Sequence, residues 1–199
     1  MSTDIRDKWN QRHAAADGIG SAAEVLVENR HLLPKQGEAL DLACGRGANA
    51  LLLAEAGLSV TAWDISDVAI TRLRAAAEAE RLDIRAQVRD LALQPPEPNS
   101  FDLIVVSYYL DRALMPHLVE ALREGGLLFY QTFNQSRLTG LGPGNPAFRL
   151  KENELLTTFS SLQTRFYRDN GSLGDTSAGV RDVSLYVGEK LSTDGVIDL

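Results

Sequence analysis

Between Glu38 and Phe133 the chain alternates short apolar runs with helix-length segments, and that alternation narrows the fold more than any other feature. Glu38 to Ala43 reads as a buried strand. Arg46 to Ala56 reads as a helix ended by Gly57, Leu58 to Trp63 as a second strand, and Ser66 to Arg81 as a helix with Ser66 at its N-cap. Ile84 to Val88 is a third strand, followed by an irregular loop that Pro95, Pro96 and Pro98 impose. Phe101 to Ser107 is a strongly apolar fourth strand. Asp111 to Arg123 holds a helix in which Pro116 is tolerated only near the start or at a kink. Gly125-Gly126 closes that unit, and Leu127 to Phe133 is a fifth strand. Strands separated by helices pair in parallel through right-handed crossovers, so the expected class is α/β, a sheet covered on both faces in three layers.

The flanks read differently. Asp4 to His13 is expected to be helical, with Ile5 and Trp9 on one face. Asp17 to Ser21 breaks it, and Ser21 with Glu24 forms a capping-box pattern for a second helix that ends before Pro34. After Phe133, Thr139 to Asn145 is a Gly- and Pro-rich loop, either a plain connection or a lid over a cleft. Lys151 to Ser160 reads as a helix. Gln163 to Arg168 and Arg181 to Glu189 read as strands joined by a Gly-rich connection, which pair antiparallel. No repeat or linker divides the chain. The expectation is one domain over residues 1–199: a helical cap at 1–34, a ligand-binding core at 38–135, and a helix with a strand hairpin at 136–199.

Composition excludes several classes. Hydrophobic residues make up 44% and charged residues 24%, an ordinary globular balance. A formal net charge of -7 repels phosphate backbones, so no nucleic-acid partner is expected. No apolar run approaches the roughly 18–20 residues that span a bilayer, so no membrane is expected. The polar N-terminus and the single Cys44 point to a cytoplasmic setting. No metal is expected. A monomer and a homodimer are equally compatible with the pattern.

The chemistry concentrates in Leu40-Asp41-Leu42-Ala43-Cys44-Gly45-Arg46-Gly47-Ala48-Asn49, which joins the first strand to the first crossover helix. In open α/β sheets ligands bind outside the carboxyl ends of the strands. Gly45 and Gly47 let the backbone turn tightly and approach a ligand. Asp41, Asp64 and Asp90 close the first three strands. Asp64 suits the two hydroxyls of a ribose. Asp90 suits an adenine amine, with the Leu91 N–H offered to a ring nitrogen. Gly45-x-Gly47-x-x-Ala50 also fits a dinucleotide fingerprint with Asp64 downstream, the pattern of an NAD-dependent oxidoreductase. Asp41, four residues before Gly45, favours a cationic group there and disfavours a pyrophosphate. Cys44 reads as a small packing residue, not a nucleophile.

Five segments together resemble the class I, Rossmann-like methyltransferases that use S-adenosylmethionine (SAM). They are Leu40 to Gly47, Val60-Thr-Ala-Trp-Asp64-Ile-Ser, Val88-Arg-Asp90-Leu, Phe101-Asp-Leu-Ile-Val-Val106 and Leu122-Arg-Glu-Gly125-Gly126-Leu-Leu, spread over about residues 38 to 135. The resemblance implies a seven-stranded, mostly parallel sheet whose last strand is antiparallel. It also implies SAM as cofactor, S-adenosylhomocysteine as product, and in-line methyl transfer to a small-molecule acceptor. The residues it points to around the cofactor are Asp41, Ala43, Cys44, Gly45, Gly47, Asn49, Asp64, Ile65, Asp90, Leu91 and Ser107, with Trp9 and Arg12 from the first helix. Tyr108, Tyr109 and Phe148 are the candidates near the acceptor. If the acceptor carries a proton, Tyr108, Tyr109 or His13 could assist its removal, and none of the three stands out as a general base.

Within that superfamily the chain is similar to the tellurite-resistance (TehB-like) family, through Lys8-Trp9-Asn10-Gln11-Arg12-His13 and through Phe148 with Glu154-Leu155. Chalcogen oxyanions and thiols are the acceptors this suggests. That family carries a His-Arg pair after its penultimate strand; Gly174-Asp175 stands there in this chain. The fourth strand lacks the Asn-Pro-Pro-Tyr sequence of methyltransferases that act on DNA bases or protein glutamine. The other readings are a SAM-binding regulatory module without turnover, and a protein or RNA methyltransferase.

Overall fold

The structure, a computed structural model, describes residues 2–192. Residue 1 and residues 193–199, the ends of the expected domain and of its C-terminal part, lie outside the described residues. In chain order come helix α1 (Ser2–Ala15), helix α2 (Glu24–Glu28), a 3-10 turn (Arg30–Leu32) and strand β1 (Glu38–Leu42). Then follow α3 (Ala48–Glu55), β2 (Ser59–Asp64), α4 (Asp67–Glu80), β3 (Ile84–Val88), β4 (Phe101–Ser107), α5 (Met115–Ala121) and β5 (Leu122–Phe133). A 3-10 turn (Pro146–Phe148), α6 (Glu154–Thr158), β6 (Gln163–Arg168) and β7 (Val183–Glu189) complete it.

The seven strands form one sheet in the order β3-β2-β1-β4-β5-β7-β6. β1 through β5 pair in parallel, and β7 runs antiparallel between β5 and β6. The strand order reverses between β1 and β4, which opens a crevice beyond their carboxyl ends. Alternate residues face opposite sides. Ala39, Leu103, Val105 and Phe129 join one apolar cluster with α2, α3 and α4. Leu40, Leu42, Ile104, Val106 and Leu128 join the other with α5 and α6. Both faces are covered, as the apolar runs required.

Ser66 caps α4 as expected: its Oγ accepts the Ala69 N–H at 3.1 Å. Ser21, in contrast, does not cap α2. That helix starts at Glu24, and its free N–H groups are taken by distant side chains: Ala23 N–H donates to Asn49 Oδ1 and Val25 N–H to Gln131 Oε1, each at 2.8 Å. The helix expected at Asp111–Arg123 is cut to Met115–Ala121, because Leu122 is drawn into the sheet opposite Phe101. Lys190 then serves as its cap, Nζ donating to the Leu122 carbonyl at 2.6 Å. The helix expected at Lys151–Ser160 shrinks to Glu154–Thr158. In α1, Ile5 is 46% exposed, so no apolar face docks it. Polar contacts hold it instead: Asn10 donates to Asp67 at 2.6 Å, and Arg72 donates to the carbonyls of Ala14 at 3.0 Å and Ala16 at 2.5 Å.

Candidate functional site

The bend between β1 and α3 is built from internal hydrogen bonds. Ala43 has a φ of +56°, a left-handed conformation that L-residues rarely adopt. Cys44 N–H donates to the Trp63 carbonyl and Gly47 N–H to the Cys44 carbonyl, both at 2.9 Å. Gly47 has a φ of +91°, and a Cβ there would overlap the Leu73 side chain, so this glycine seats α4 against the loop. Gly45 has a φ of +53° and a Cβ there would meet His13 Cε1 at 3.3 Å. Helix α1 therefore lies over the loop and touches it through His13.

Two buried carboxylates lie under this bend. Asp41 is fully buried; its Oδ2 accepts the Ala50 N–H at 3.0 Å and its Oδ1 lies 3.4 Å from Asn49 Nδ2. Burial pushes its pKa up to about 7, against the pull of Asn49 and Ala50, with the charge of Asp64 adding to the rise. Asp64 accepts the Gly45 N–H on Oδ2 and the Ser66 N–H on Oδ1, both at 2.8 Å. Burial raises its pKa too, opposed by those N–H groups and by His13. Burial also depresses the His13 imidazole pKa, with the charge of Asp64 opposing. Cys44 is buried and its thiol is pushed well up, by burial first and then by Asp41 and Asp64. It stays protonated and serves as packing.

The remaining expected residues sort by position. Asn49 bridges the walls: its Nδ2 donates to Ser107 Oγ at 3.0 Å while its Oδ1 holds Ala23. Asp90 opens a turn, accepting the Ala92 N–H on Oδ1 at 3.2 Å, and Leu91 packs beneath it in the core. Ile65 follows Asp64 at the end of β2, half-buried. Arg12 is exposed, its guanidinium 5.0 Å from the Trp9 ring centre, and Trp9 stacks in turn on His13 at 5.8 Å. Among the residues of α1, His13 is thus the one that meets Gly45. Tyr109 packs toward the opposite core cluster, its Oη 3.5 Å from Asp111.

At the carboxyl ends of β4 and β5 lies a cavity of about 610 Å³. Tyr108, Phe133, Leu141, Val180 and Val183 supply apolar wall; Glu24, Arg168 and Asp182 supply charge. Tyr108 is held in a left-handed conformation at φ +56° by Gln131, which accepts its N–H and donates Nε2 to its Oη, both at 2.8 Å. Phe148, 57% exposed, does not line this cavity. Nor do Gly174 and Asp175, which sit in an exposed loop stapled by Arg181. The Gly- and Pro-rich loop after β5 is pinned: Asp182 accepts the N–H groups of Leu138 and Thr139, and Arg149 donates to the carbonyls of Leu141, Pro143 and Asn134.

Sequence reading missed Gln131 and Glu24 as site residues, and it named His13 for proton transfer without placing it over Gly45. Gln131 carried a signal, being a polar residue inside the apolar run Leu127 to Phe133. Glu24 carried only its capping-box spacing.

The geometry discriminates between ligands. A phosphate wants free N–H groups at the start of a helix. Here a carboxylate, Asp41, already occupies the Ala50 N–H in the first turn of α3. Two buried carboxylates suit a cation instead. The donor set therefore fits the ammonium and sulfonium of SAM and not a pyrophosphate.

Comparison with known proteins agrees. Residues 39–126 match the methyltransferase domain family. A ubiquinone biosynthesis O-methyltransferase of Xanthomonas campestris is 28% identical over 154 residues, 73% of this chain and 61% of that one. One of Coxiella burnetii is 28% identical over 118 residues, 57% of this chain and 47% of that one. The chain thus spans about half to three-fifths of the length of these curated relatives. Among solved structures, TehB from Haemophilus influenzae superposes with a TM-score of 0.68 at 22% identity, covering 93% of this chain and 66% of that one. A geranyl diphosphate C-methyltransferase from Streptomyces coelicolor superposes with a TM-score of 0.70 at 16% identity, covering 96% and 97%. At these identities the structural likeness speaks for the fold.

Proposed function

We propose that this chain, whose residues 39–126 match the methyltransferase domain family, uses S-adenosylmethionine to methylate a small-molecule acceptor. The observation that carries the reading is the pair of buried carboxylates, Asp41 and Asp64, beneath the glycine bend, the first holding the Ala50 N–H in the first turn of α3 and the second the Gly45 N–H. In this proposal Gly45, Gly47 and the Ala43–Cys44 backbone border the cofactor. Asp64 holds the ribose hydroxyls, with Ile65 beside it, and Asp90 and Leu91 face the adenine. Asp41, Asn49 and Ser107 shape the amino-acid end. Trp9 and Arg12 belong to the helix that His13 seats over the bend.

When bound, SAM supplies a methyl group on a positively charged sulfur that leaves as a neutral thioether. The protein's work is then to align the acceptor and exclude water. Helix α1 shields the bend, and Gln131 fixes Tyr108 on the cavity wall. The cavity volume suits a small molecule. The names of the Xanthomonas and Coxiella relatives suggest oxygen as the accepting atom, and the sequence resemblance to the tellurite-resistance family suggests a chalcogen.

Calorimetry with SAM, S-adenosylhomocysteine and NAD tests the cofactor. Binding of the first two and not the third is expected, and Asp64→Ala abolishes it. A panel of selenite, tellurite, thiols, thiopurines and catechols, scored by S-adenosylhomocysteine release, tests the acceptor. Tight cofactor binding with no release from any of them would leave a regulatory binding module as the better reading.

A further inference from the structure

The cavity holds an unusual pair of features: an aromatic wall and a loosely held carboxylate. The Tyr108 and Phe133 rings lie 5.1 Å apart, centre to centre, tilted by 40°. Leu141 and Val180 continue the apolar surface. Of the charged side chains on the lining, two are consumed locally. Arg181 donates to the carbonyls of Ala178, Gly171 and Asp175, among others, and Asp182 accepts from Leu138 and Thr139. Arg168, from the end of β6, is shared between two carboxylates of α2: it lies 2.7 Å from Glu28 and 3.3 Å from Glu24. The lining thus carries two carboxylates, Glu24 and Asp182, against two guanidiniums, Arg168 and Arg181, and Glu24 is the more loosely held of the two partners of Arg168.

We infer that this cavity takes a neutral, hydroxyl-bearing ring, and that Glu24 accepts the hydroxyl proton as the oxygen is methylated. The inference rests on the methyltransferase reading above and names its acceptor class. Position supports it first: Glu24 and Tyr108 line the same cavity, and Asn49 ties the residues before them, Ala23 and Ser107, to the start of α3. Charge supports it second. The lining charges balance and both guanidiniums are engaged, so an oxyanion meets no free cation on this wall, whereas a neutral ring meets apolar surface. Basicity supports it third. Burial raises the Glu24 pKa, Arg168 opposing and Glu28 reinforcing. A phenolic hydroxyl has a pKa of about 10 and attacks poorly unless its proton is removed as it reacts. Tyr108 completes the arrangement. Its Oη accepts from Gln131, which leaves its own proton to donate toward the acceptor oxygen.

The step balances. The acceptor O–H bond breaks and its proton passes to the Glu24 carboxylate. An O–C bond forms to the methyl group, the C–S bond breaks, and sulfur keeps the electron pair. Glu24 then returns the proton to solvent. The groups facing Glu24 are Glu28 on its own helix, Arg168 from β6 and Tyr108 from the end of β4, with Arg181 and Asp182 elsewhere on the lining.

The test uses catechol as the probe acceptor, with wild-type protein, Glu24→Gln and Glu24→Asp. Calorimetry measures S-adenosylhomocysteine affinity, then catechol affinity for that complex. S-adenosylhomocysteine release from SAM and catechol is followed from pH 5.5 to 9. In Glu24→Gln, kcat is expected to fall about 10²- to 10⁴-fold and to lose the acidic limb of its pH profile. Both affinities stay within about threefold of wild type, and Glu24→Asp retains the limb. A Glu24→Gln protein with wild-type rate and profile would overturn the inference. So would a wild-type protein that binds S-adenosylhomocysteine but not catechol, or that turns over selenite in preference to it. A wild-type protein that binds no S-adenosylhomocysteine would remove the methyltransferase reading itself, and this inference with it.

Discussion

Replacing Asp41 by Asn should change how stability depends on pH, and the structure sets the size of the effect. Asp41 is fully buried, and burial raises its carboxyl pKa from 3.8 to about 7. The folded protein therefore holds this proton where the unfolded chain has released it. The sign follows: the contribution is fully present below the unfolded pKa and is lost as pH rises through the folded one. At about 1.4 kcal/mol per unit, the full loss is on the order of 4 kcal/mol. Roughly 2 to 3 kcal/mol of it falls between pH 5 and pH 8. An asparagine at this position cannot ionise. Its carbonyl can still accept the Ala50 N–H, but its amide would face Asn49 Nδ2, which costs about 1 kcal/mol at every pH. Urea unfolding of the cofactor-free proteins at pH 5, 6, 7 and 8 measures this, and the difference between them cancels every other titrating group. The variant is expected to gain on wild type steadily up to about pH 7 and then run parallel to it. A difference that stays constant from pH 5 to pH 8 would refute the argument that Asp41 is held in a low-dielectric site.

Three further outcomes are expected. Gly47→Ala places a Cβ into Leu73 at a positive φ, and its midpoint of thermal unfolding should fall by an amount equivalent to about 3 kcal/mol. Arg149 is 1% exposed and donates to three loop carbonyls. Arg149→Met should cost about 3 kcal/mol in urea unfolding and speed hydrogen exchange across residues 138–148. Burial lowers the His13 pKa, so its neutral form stabilises the docked α1, and that stability is lost as pH falls below the ordinary histidine value. Acrylamide quenching of Trp9, which stacks on His13, should increase from pH 8 to pH 5. His13→Gln should flatten that dependence; an unchanged dependence would assign the titration elsewhere.

The α/β layering was legible because its cause is local. Phe101 to Ser107 is apolar at nearly every position, as a strand buried on both faces must be, and the observed β4 has the expected bounds. Ser66 announced the start of α4 by the same locality, since a cap acts within three residues. The failures share a cause as well. Ser21 and Glu24 carry a capping-box spacing, yet Asn49 and Gln131 satisfy that helix start from 26 and 106 residues away. The last turn of the helix expected after Asp111 was lost to pairing with Phe101.

The candidate site divides along the same line. The glycine bend and Asp41, Asp64 and Asp90, each within two residues of the end of β1, β2 or β3, lie at strand ends, so their gathering follows once the strands are known to be parallel neighbours. Periodicity and spacing along the chain are enough for that. His13 above Gly45, Glu24 beside Tyr108, and Arg168 shared between Glu24 and Glu28 are meetings of side chains far apart in sequence. Contacts of that kind depend on how α1, α2 and β6 dock. Docking is set by packing and by which buried polar groups find partners, quantities that exist only in the assembled molecule.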